Sequence, residues 1–183
     1  RMSHGEGTKL PQFTSCCPGW VKFCEYYYPE LIGNLSSVKS PQQILGALTK
    51  TYYREKQGLD LKKVVSVAIM PCTAKKFECQ RPEMNAVGRK NGTPGIRDVD
   101  VVLTTRELAS LIKQKGIDLN KLEDAPYDNL MGESSGAGVI FGATGGVMEA
   151  AVRTAYYLGS KQSPPEEFLH FSPVRGLAGV KEA

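Results

Sequence analysis

Apolar positions along the chain form short runs typical of strands and stripes typical of helices. Residues 64–70 are almost continuously apolar, as in a parallel strand covered on both faces. A second buried strand is predicted at residues 99–103, and a short one at residues 13–16. Because these strands alternate with helical segments, the pattern predicts an α/β fold with a mostly parallel sheet and flanking helices.

The first two helices are predicted from apolar residues spaced three and four apart. One begins at Trp20 and is bent or ended by Pro29. Its inward face is predicted to consist of Trp20, Phe23, Cys24, Tyr27 and Leu31. The next has Ser40 as its N-cap and Pro41 as its first residue. Its buried stripe is predicted to consist of Ile44, Leu45, Leu48 and Tyr52.

Two further helices are predicted nearer the carboxyl end. Thr104 caps one of them, and Glu107 completes a capping box. The other runs from about residue 146 to residue 158. The segments 79–96 and 117–143 are predicted as loops, and the tail as one more short strand.

Length and charge limit the classes of protein to which the chain can belong. The 183 residues suit a single partial domain, with residues 1–10 as a linker or cut end. A net charge of +4 is too small and scattered to predict binding to nucleic acid. Apolar runs all fall short of the ~20 residues of a membrane span, so no membrane partner is expected. Five cysteines without a secretory signal predict a cytoplasmic protein, with the periplasm as the alternative.

Three cysteines stand just after predicted strands, namely Cys16, Cys17 and Cys72. Since the carboxyl ends of parallel strands share one edge of a sheet, thiols from distant segments can meet there. Reduced thiols at such an edge indicate soft-metal ligation or thiol chemistry, and the alternative is that one of them fills the core. Lys75 would either neutralise a thiolate site or lie solvated on the surface. Cys24 belongs to a helical stripe, so core packing is predicted for it.

Two segments together resemble the first two signature motifs of [FeFe]-hydrogenases. They are Thr14-Ser15-Cys16-Cys17-Pro18-Gly19-Trp20 and Met70-Pro71-Cys72-Thr73-Ala74-Lys75-Lys76-Phe77-Glu78. Segments 40–43, 104–108 and 135–150 are also similar to that family's catalytic domain. The resemblance covers about residues 10–183 and implies one lobe of the hydrogenase catalytic domain.

The resemblance implies an enzyme that reversibly combines protons and electrons into dihydrogen. Its cofactor is a [4Fe-4S] cluster linked to a two-iron subsite with carbonyl and cyanide ligands. By resemblance, Cys17 and Cys72 are cluster ligands, and Cys16 is the thiol that passes protons to and from the subsite. Lys75 donates to a subsite cyanide, and Ser36 relays protons outward.

Further contacts follow from the same resemblance. Met70 packs against the diatomic ligands, Phe141 forms a wall of the pocket, and Gln42 offers a polar contact. No proton role is assigned to Glu78. The implied partners are ferredoxin or a similar electron carrier, hydrogenase maturation proteins and the remainder of the catalytic domain.

The chain departs from the family's pattern at both ends. The third motif, with the other two cluster cysteines, is expected after residue 183, and the relay glutamates before residue 1. The ligand set is therefore expected to be incomplete, and the isolated chain to be inactive. Apolar edges left by missing strands also predict a homo-oligomer of the fragment.

Two alternatives come from other classes of protein. One is a non-enzymatic iron-sulfur protein of the cytosolic assembly and prelamin-recognition families, where the position of Cys16 is generally not a cysteine. The other is a hydrolase, because residues 132–136 match the pattern G-x-S-x-G around Ser134, with His170 later in the chain. The pattern requires a buried strand before the serine, and residues 125–131 do not predict one.

Overall fold

The computed structural model describes residues 9–169, 171–177 and 179–182. It divides the chain into two compact units, Arg1–Pro126 and Tyr127–Ala183. Residues 1–8, where most of the linker is predicted, lie outside the described residues. The single partial domain stays a prediction.

The first unit contains six α-helices and two strands within its described residues. In chain order they are α1 (Pro18–Tyr27), α2 (Pro41–Leu48), α3 (Arg54–Lys56), β1 (Val67–Met70), α4 (Ala74–Glu78), α5 (Ala86–Asn91), β2 (Val101–Thr104) and α6 (Thr105–Gln114). A π-helical stretch, Thr49–Tyr53, joins α2 to α3. Short 3-10 helices span Pro29–Asn34, Leu61–Lys63 and Leu119–Lys121.

The second unit is built around one long helix. Its elements are α7 (Gly136–Ile140), α8 (Gly146–Ser160), a 3-10 helix (Glu166–Leu169), β3 (Ser172–Pro173) and β4 (Lys181–Glu182). Helices α7 and α8 pack together, and β3 pairs with β4 in antiparallel fashion. In the described part of the whole chain, no helix has both the length and the apolar character needed to cross a membrane.

A parallel pair of strands confirms the predicted α/β class. Strand β1 pairs with β2 in register, so that Val67 lies opposite Val101 and Met70 lies opposite Thr104. On one side the pair packs into a small core of Cys79, Val99 and Val102. The opposite side is exposed, since Val67 is 51% accessible. The prediction that this strand is covered on both faces is therefore wrong for the described residues.

The amino-terminal predictions are met only in part. Residues 13–16 form no strand, and a single parallel bridge joins Phe13 to Leu35. Helix α1 ends at Tyr27, just before Pro29, as predicted. Of its predicted inward stripe, Cys24 is fully buried, whereas Trp20, Phe23 and Tyr27 are exposed. The stripe is wrong because α1 contacts its neighbours along a narrower face than the apolar residues suggest.

Helix α2 reverses its predicted orientation. The predicted stripe of Ile44, Leu45, Leu48 and Tyr52 is exposed, and the buried residues are Gln42, Gln43 and Gly46. A Cβ atom at Gly46 would lie 2.4 Å from the Asp98 carbonyl oxygen, so only glycine fits this approach. Lys50, one turn further, is buried against Asp100 at 2.6 Å. The buried face of α2 is therefore the one that meets the segment around Asp98, and not its apolar stripe.

Predicted loops also contain helices. Helix α5 lies within segment 79–96 and ends at Gly92, whose φ of 62° is left-handed. Helix α7 lies within segment 117–143. Helix α6 begins as predicted, because Thr104 and Glu107 form the complete capping box.

Candidate functional site at the two cysteine motifs

The first cysteine motif forms the amino-terminal cap of α1. Cys17 is the N-cap in an extended conformation, and Pro18 follows as the first helical residue. The Cys17 N–H donates to the Ser15 hydroxyl oxygen at 3.1 Å, which holds the turn. Cys16 and Cys17 are both free thiols and both exposed. The pair is therefore presented to the surroundings at a helix start, and not packed in the core.

The second cysteine motif connects β1 to α4. The strand ends at Met70, and Cys72 follows at the carboxyl edge of the sheet, as predicted. The Cys72 carbonyl accepts a hydrogen bond of 3.3 Å from the Lys75 N–H as the chain turns into α4. Cys72 is a free, exposed thiol. Helix α4 also packs against α1, which begins at the first motif.

Lys75 joins the two motifs directly. Its ammonium Nζ donates to the backbone carbonyl oxygen of Cys16. The same ammonium lies 3.2 Å from each carboxylate oxygen of Glu78. Segments 59 positions apart in sequence are thus held side by side. The structure brings Cys16, Lys75 and the turn containing Cys72 into one neighbourhood.

Glu78 makes the largest number of side-chain contacts in this neighbourhood, although the sequence predicted no proton role for it. It is 5% exposed, and its Oε2 accepts from the Ser40 hydroxyl at 2.9 Å and from the Gln42 amide at 2.7 Å. Gln42, predicted as a polar contact near the site, therefore contacts Glu78. The residues that meet here come from three separate segments, so no local periodicity signals the cluster.

The remaining predicted residues occupy varied positions. Ser36 is half-buried beside the Phe13 bridge, and its Oγ accepts from the Val38 N–H at 3.2 Å. Met70 is partly buried and packs against the core cluster. Phe141 belongs to the second unit, follows α7 and is 40% exposed. Their roles toward a cofactor stay predictions.

The five cysteines separate into two chemical classes. Cys24 and Cys79 are buried, and burial raises the pKa of the Cys79 thiol above its ordinary value. Such thiols are inert packing groups. Cys16, Cys17 and Cys72 are exposed and in no disulfide, so their sulfur atoms are available to a soft metal. Core packing, predicted for Cys24, agrees with its position.

The donor set fits an iron-sulfur cluster only in part. A cubane is held by four thiolates, and the proposed ligands here number two. Within the described residues no group of three or more His, Cys, Asp or Glu side chains is arranged to hold a metal ion. Any cluster at this site therefore needs ligands beyond those that the described residues assemble.

The hydrolase alternative is wrong. The residues before Ser134 contain no strand from 122 to 131, so the strand–turn–helix geometry of a nucleophile elbow is missing there. The Ser134 hydroxyl donates to the neighbouring Ser135 carbonyl at 3.3 Å. His170, the proposed base, lies outside the described residues.

Comparisons with known proteins agree with the motifs. The family model described as the iron only hydrogenase large subunit, C-terminal domain, matches residues 1–183. Iron hydrogenase 1 of Clostridium pasteurianum is 56% identical over 95% of this chain and 29% of its own length. The periplasmic [Fe] hydrogenase large subunit of Nitratidesulfovibrio vulgaris is 52% identical over 100% of this chain and 41% of its own.

Solved structures and less similar relatives complete the comparison. The apo [FeFe]-hydrogenase of Chlamydomonas reinhardtii gives a TM-score of 0.75 at 49% identity, covering 94% of this chain and 41% of that one. The cytosolic Fe-S cluster assembly factor of Botryotinia fuckeliana is 44% identical over 68% of this chain and 22% of its own. The chain thus spans well under half the length of each of these proteins.

Proposed function

Because this chain belongs to the family of the iron-only hydrogenase large subunit, C-terminal domain, we propose that it forms part of a catalytic domain that interconverts dihydrogen with protons and electrons. This activity belongs to the complete protein, since the chain spans 29% and 41% of the two curated hydrogenases. The isolated chain, with two proposed cluster ligands, is expected to give no turnover.

One contact supports the proposal most directly. Lys75 donates to the Cys16 carbonyl, so the two motifs that resemble the hydrogenase signatures lie together in space. If the two motifs resembled the hydrogenase signatures only by chance, nothing would require segments so distant in sequence to lie together. The neighbourhood also combines what the proposed reaction needs, namely exposed thiols and an ammonium group.

The proposed residue roles follow from this arrangement. Cys17 and Cys72 bind the [4Fe-4S] cluster, which with its two-iron subsite supplies the redox chemistry when bound. Cys16, exposed and unligated, holds and releases a proton at its Sγ. Lys75 donates to an anionic ligand at the site, and its position beside the first cysteine motif, where its ammonium contacts the Cys16 carbonyl, supports this role.

Four other side chains are proposed to complete the surroundings. Ser36 relays protons outward, Met70 and Phe141 form apolar walls that exclude water, and Gln42 supplies a polar contact. The unpaired Oε1 of Gln42 is buried and has no hydrogen-bond partner among the described residues, which supports a polar neighbour on that side.

The proposed partners follow from the reaction and from the relatives. Electrons require a carrier such as ferredoxin, and the cluster requires maturation proteins and the remainder of the catalytic domain. The exposed face of β1 supports a further proposal, that copies of the isolated fragment associate. We place the protein in the cytoplasm, with the periplasm as the alternative because one relative is a periplasmic hydrogenase.

Replacing the proton-carrying thiol tests the reaction. In the complete catalytic domain, Cys16→Ala should abolish hydrogen evolution while the iron and sulfide content stays unchanged, because Cys16 is proposed to carry protons and not to bind iron. Cys24→Ala is the matched control, since this buried thiol should be dispensable for turnover. Retained activity in Cys16→Ala would show that the proton role is wrong.

The assembly-protein alternative is less well supported. The hydrogenases are more similar to this chain than the assembly factor, at 56% and 52% against 44% identity. The thiol at position 16 also favours the enzyme, because a non-enzymatic cluster protein needs no free thiol beside its ligands. A complete domain that binds its cluster but evolves no hydrogen would favour the alternative.

A further inference from the structure

The contacts of Glu78 differ from those of a residue that only packs in the core and from those of a surface ion pair. Its buried carboxylate accepts hydrogen bonds from Ser40, Gln42 and Lys75. The last of these reaches the first cysteine motif through the Cys16 carbonyl. We propose that Glu78 is a positioning residue, which fixes Lys75 and thereby sets the spacing of the two cysteine motifs before any iron is bound.

The Lys75 ammonium depends on Glu78 as its anionic partner. The Lys75 side chain is 12% exposed, so its charge is largely removed from water and needs an anionic partner. Glu78 is the carboxylate in contact with it, at 3.2 Å to each oxygen. Without that carboxylate, the ammonium would turn toward solvent and leave the Cys16 carbonyl.

The carboxylate is itself held in place by neutral donors. The Ser40 hydroxyl and the Gln42 amide, at 2.9 Å and 2.7 Å, both bond to Oε2. These residues belong to the start of α2, where Ser40 is the N-cap. The order of contacts therefore runs from α2 to Glu78, then to Lys75, and then to the first cysteine motif.

The next lysine in the sequence supplies a matched control. Lys76 pairs with Glu107 at 2.7 Å, and both side chains are well exposed. That pair joins α4 to α6, and within the described residues neither side chain bonds to Cys16, Cys17 or Cys72. Glu107→Gln thus removes a carboxylate from the same helix surroundings without affecting Lys75.

Cross-linking of thiols in the iron-free chain measures the spacing directly. The chain would contain Cys16→Ser, which keeps the carbonyl that Lys75 binds and leaves Cys17 and Cys72 as exposed thiols. Dibromobimane, a short reagent that fluoresces after joining two thiols, should link them. Glu78→Gln should lower the rate roughly tenfold, the factor that corresponds to about 1.4 kcal/mol, whereas Glu107→Gln should leave it unchanged.

A double-mutant cycle separates positioning from general stability. If Glu78 acts through Lys75, then Lys75→Met should slow the cross-link as much as Glu78→Gln, and the double variant should be no slower. Cys24 and Cys79 report the fold, because these buried thiols should remain unlabelled in every variant. If Glu78→Gln disturbs the fold and exposes Cys24 and Cys79, the Lys75→Met variant alone still tests the proposal.

Three results would overturn the proposal. They are no cross-link in the parent chain, an unchanged rate in both single variants, or additive losses in the double variant. Since the measurement uses iron-free protein, the inference does not depend on the proposed reaction. Cross-linking can fail in a protein whose complete form evolves hydrogen, and hydrogen evolution can fail in a protein that cross-links. A failure of this proposal is therefore distinguishable from a failure of the proposed function.

Discussion

Two buried carboxylates, Asp98 and Glu78, contact adjacent residues at the start of α2, but their other partners differ. Asp98 is fully buried, pairs with Lys39 and accepts from the Val87 N–H at 2.9 Å. Glu78 is also buried, but its partners are Ser40 and Gln42 together with a lysine from its own helix. Adjacent residues, Lys39 and Ser40, thus serve different carboxylates.

The two carboxylates differ in the residues to which their contacts lead. The Asp98 carboxylate joins the Lys39 ammonium, just before α2, to the Val87 N–H in the first turn of α5. The contacts of Glu78 lead through Lys75 to the Cys16 carbonyl. We therefore expect Asp98 to matter for folding, and Glu78 to matter for the geometry of the cysteine motifs.

The largest loss of stability is expected from Asp98→Ala. This change removes the carboxylate that both the Lys39 ammonium and the Val87 N–H contact, and breaking a buried pair costs about 3–5 kcal/mol. Urea unfolding followed by circular dichroism would measure it. Asp124→Asn, on an exposed loop, should change the free energy of unfolding little. A loss at Asp98 no larger than at Asp124 would contradict the structural role.

Gly46→Ala is expected to have an intermediate effect. The added Cβ would lie 2.4 Å from the Asp98 carbonyl oxygen and 2.7 Å from a methyl carbon of Val99. Overpacking of this kind costs about 1–3 kcal/mol. Gly159→Ala is the matched control, because it lies in α8 with nothing within 4 Å and should gain helix propensity. Thermal unfolding of both variants would check the contrast.

Ser40→Ala should have a smaller effect on stability. It removes one of the donors to Glu78, and a typical hydrogen bond contributes about 1 kcal/mol. Ser110→Ala is the control, because that hydroxyl donates to the Arg106 carbonyl on an exposed helix surface. If Ser40→Ala destabilised the chain as strongly as Asp98→Ala, the contrast between the two carboxylates would be wrong.

The same contrast explains what the sequence could predict. The capping box of α6 was predicted correctly because Thr104 and Glu107 are three residues apart, and their interaction is local. The cysteine motifs were found as strings of residues, for the same reason. The stripe of α2 was predicted wrongly, because which face is buried depends on distant partners such as Asp98.

Glu78 shows why the rest of the site was missed. Its donors Ser40 and Gln42 lie 38 and 36 positions away in sequence, so no spacing rule connects them. A serine N-cap and a glutamine on a helix are ordinary in isolation. Only in the folded chain do both residues lie beside a buried carboxylate, and this contact explains why the polar face of α2 is buried.

The smallest effect is expected at the exposed carboxylate of the control pair. Hydrogen bonding to Lys76 lowers the pKa of Glu107 to about 2, and its bond to the Thr104 N–H acts in the same direction. Since the folded-state pKa lies below the ordinary 4.5, the contribution to stability is complete above pH 4.5 and is lost as the pH falls toward about 2.

The test is the pH dependence of the unfolding midpoint across that range. Glu107→Gln should flatten the curve slightly, because a solvent-exposed pair contributes little. Hydrogen bonding to Arg81 also lowers the pKa of Glu25, so part of the slope should remain. Glu25→Gln in addition should flatten the curve further. An unchanged slope in Glu107→Gln would mean that the pair with Lys76 does not persist in solution, and it would then be a poor control for Glu78.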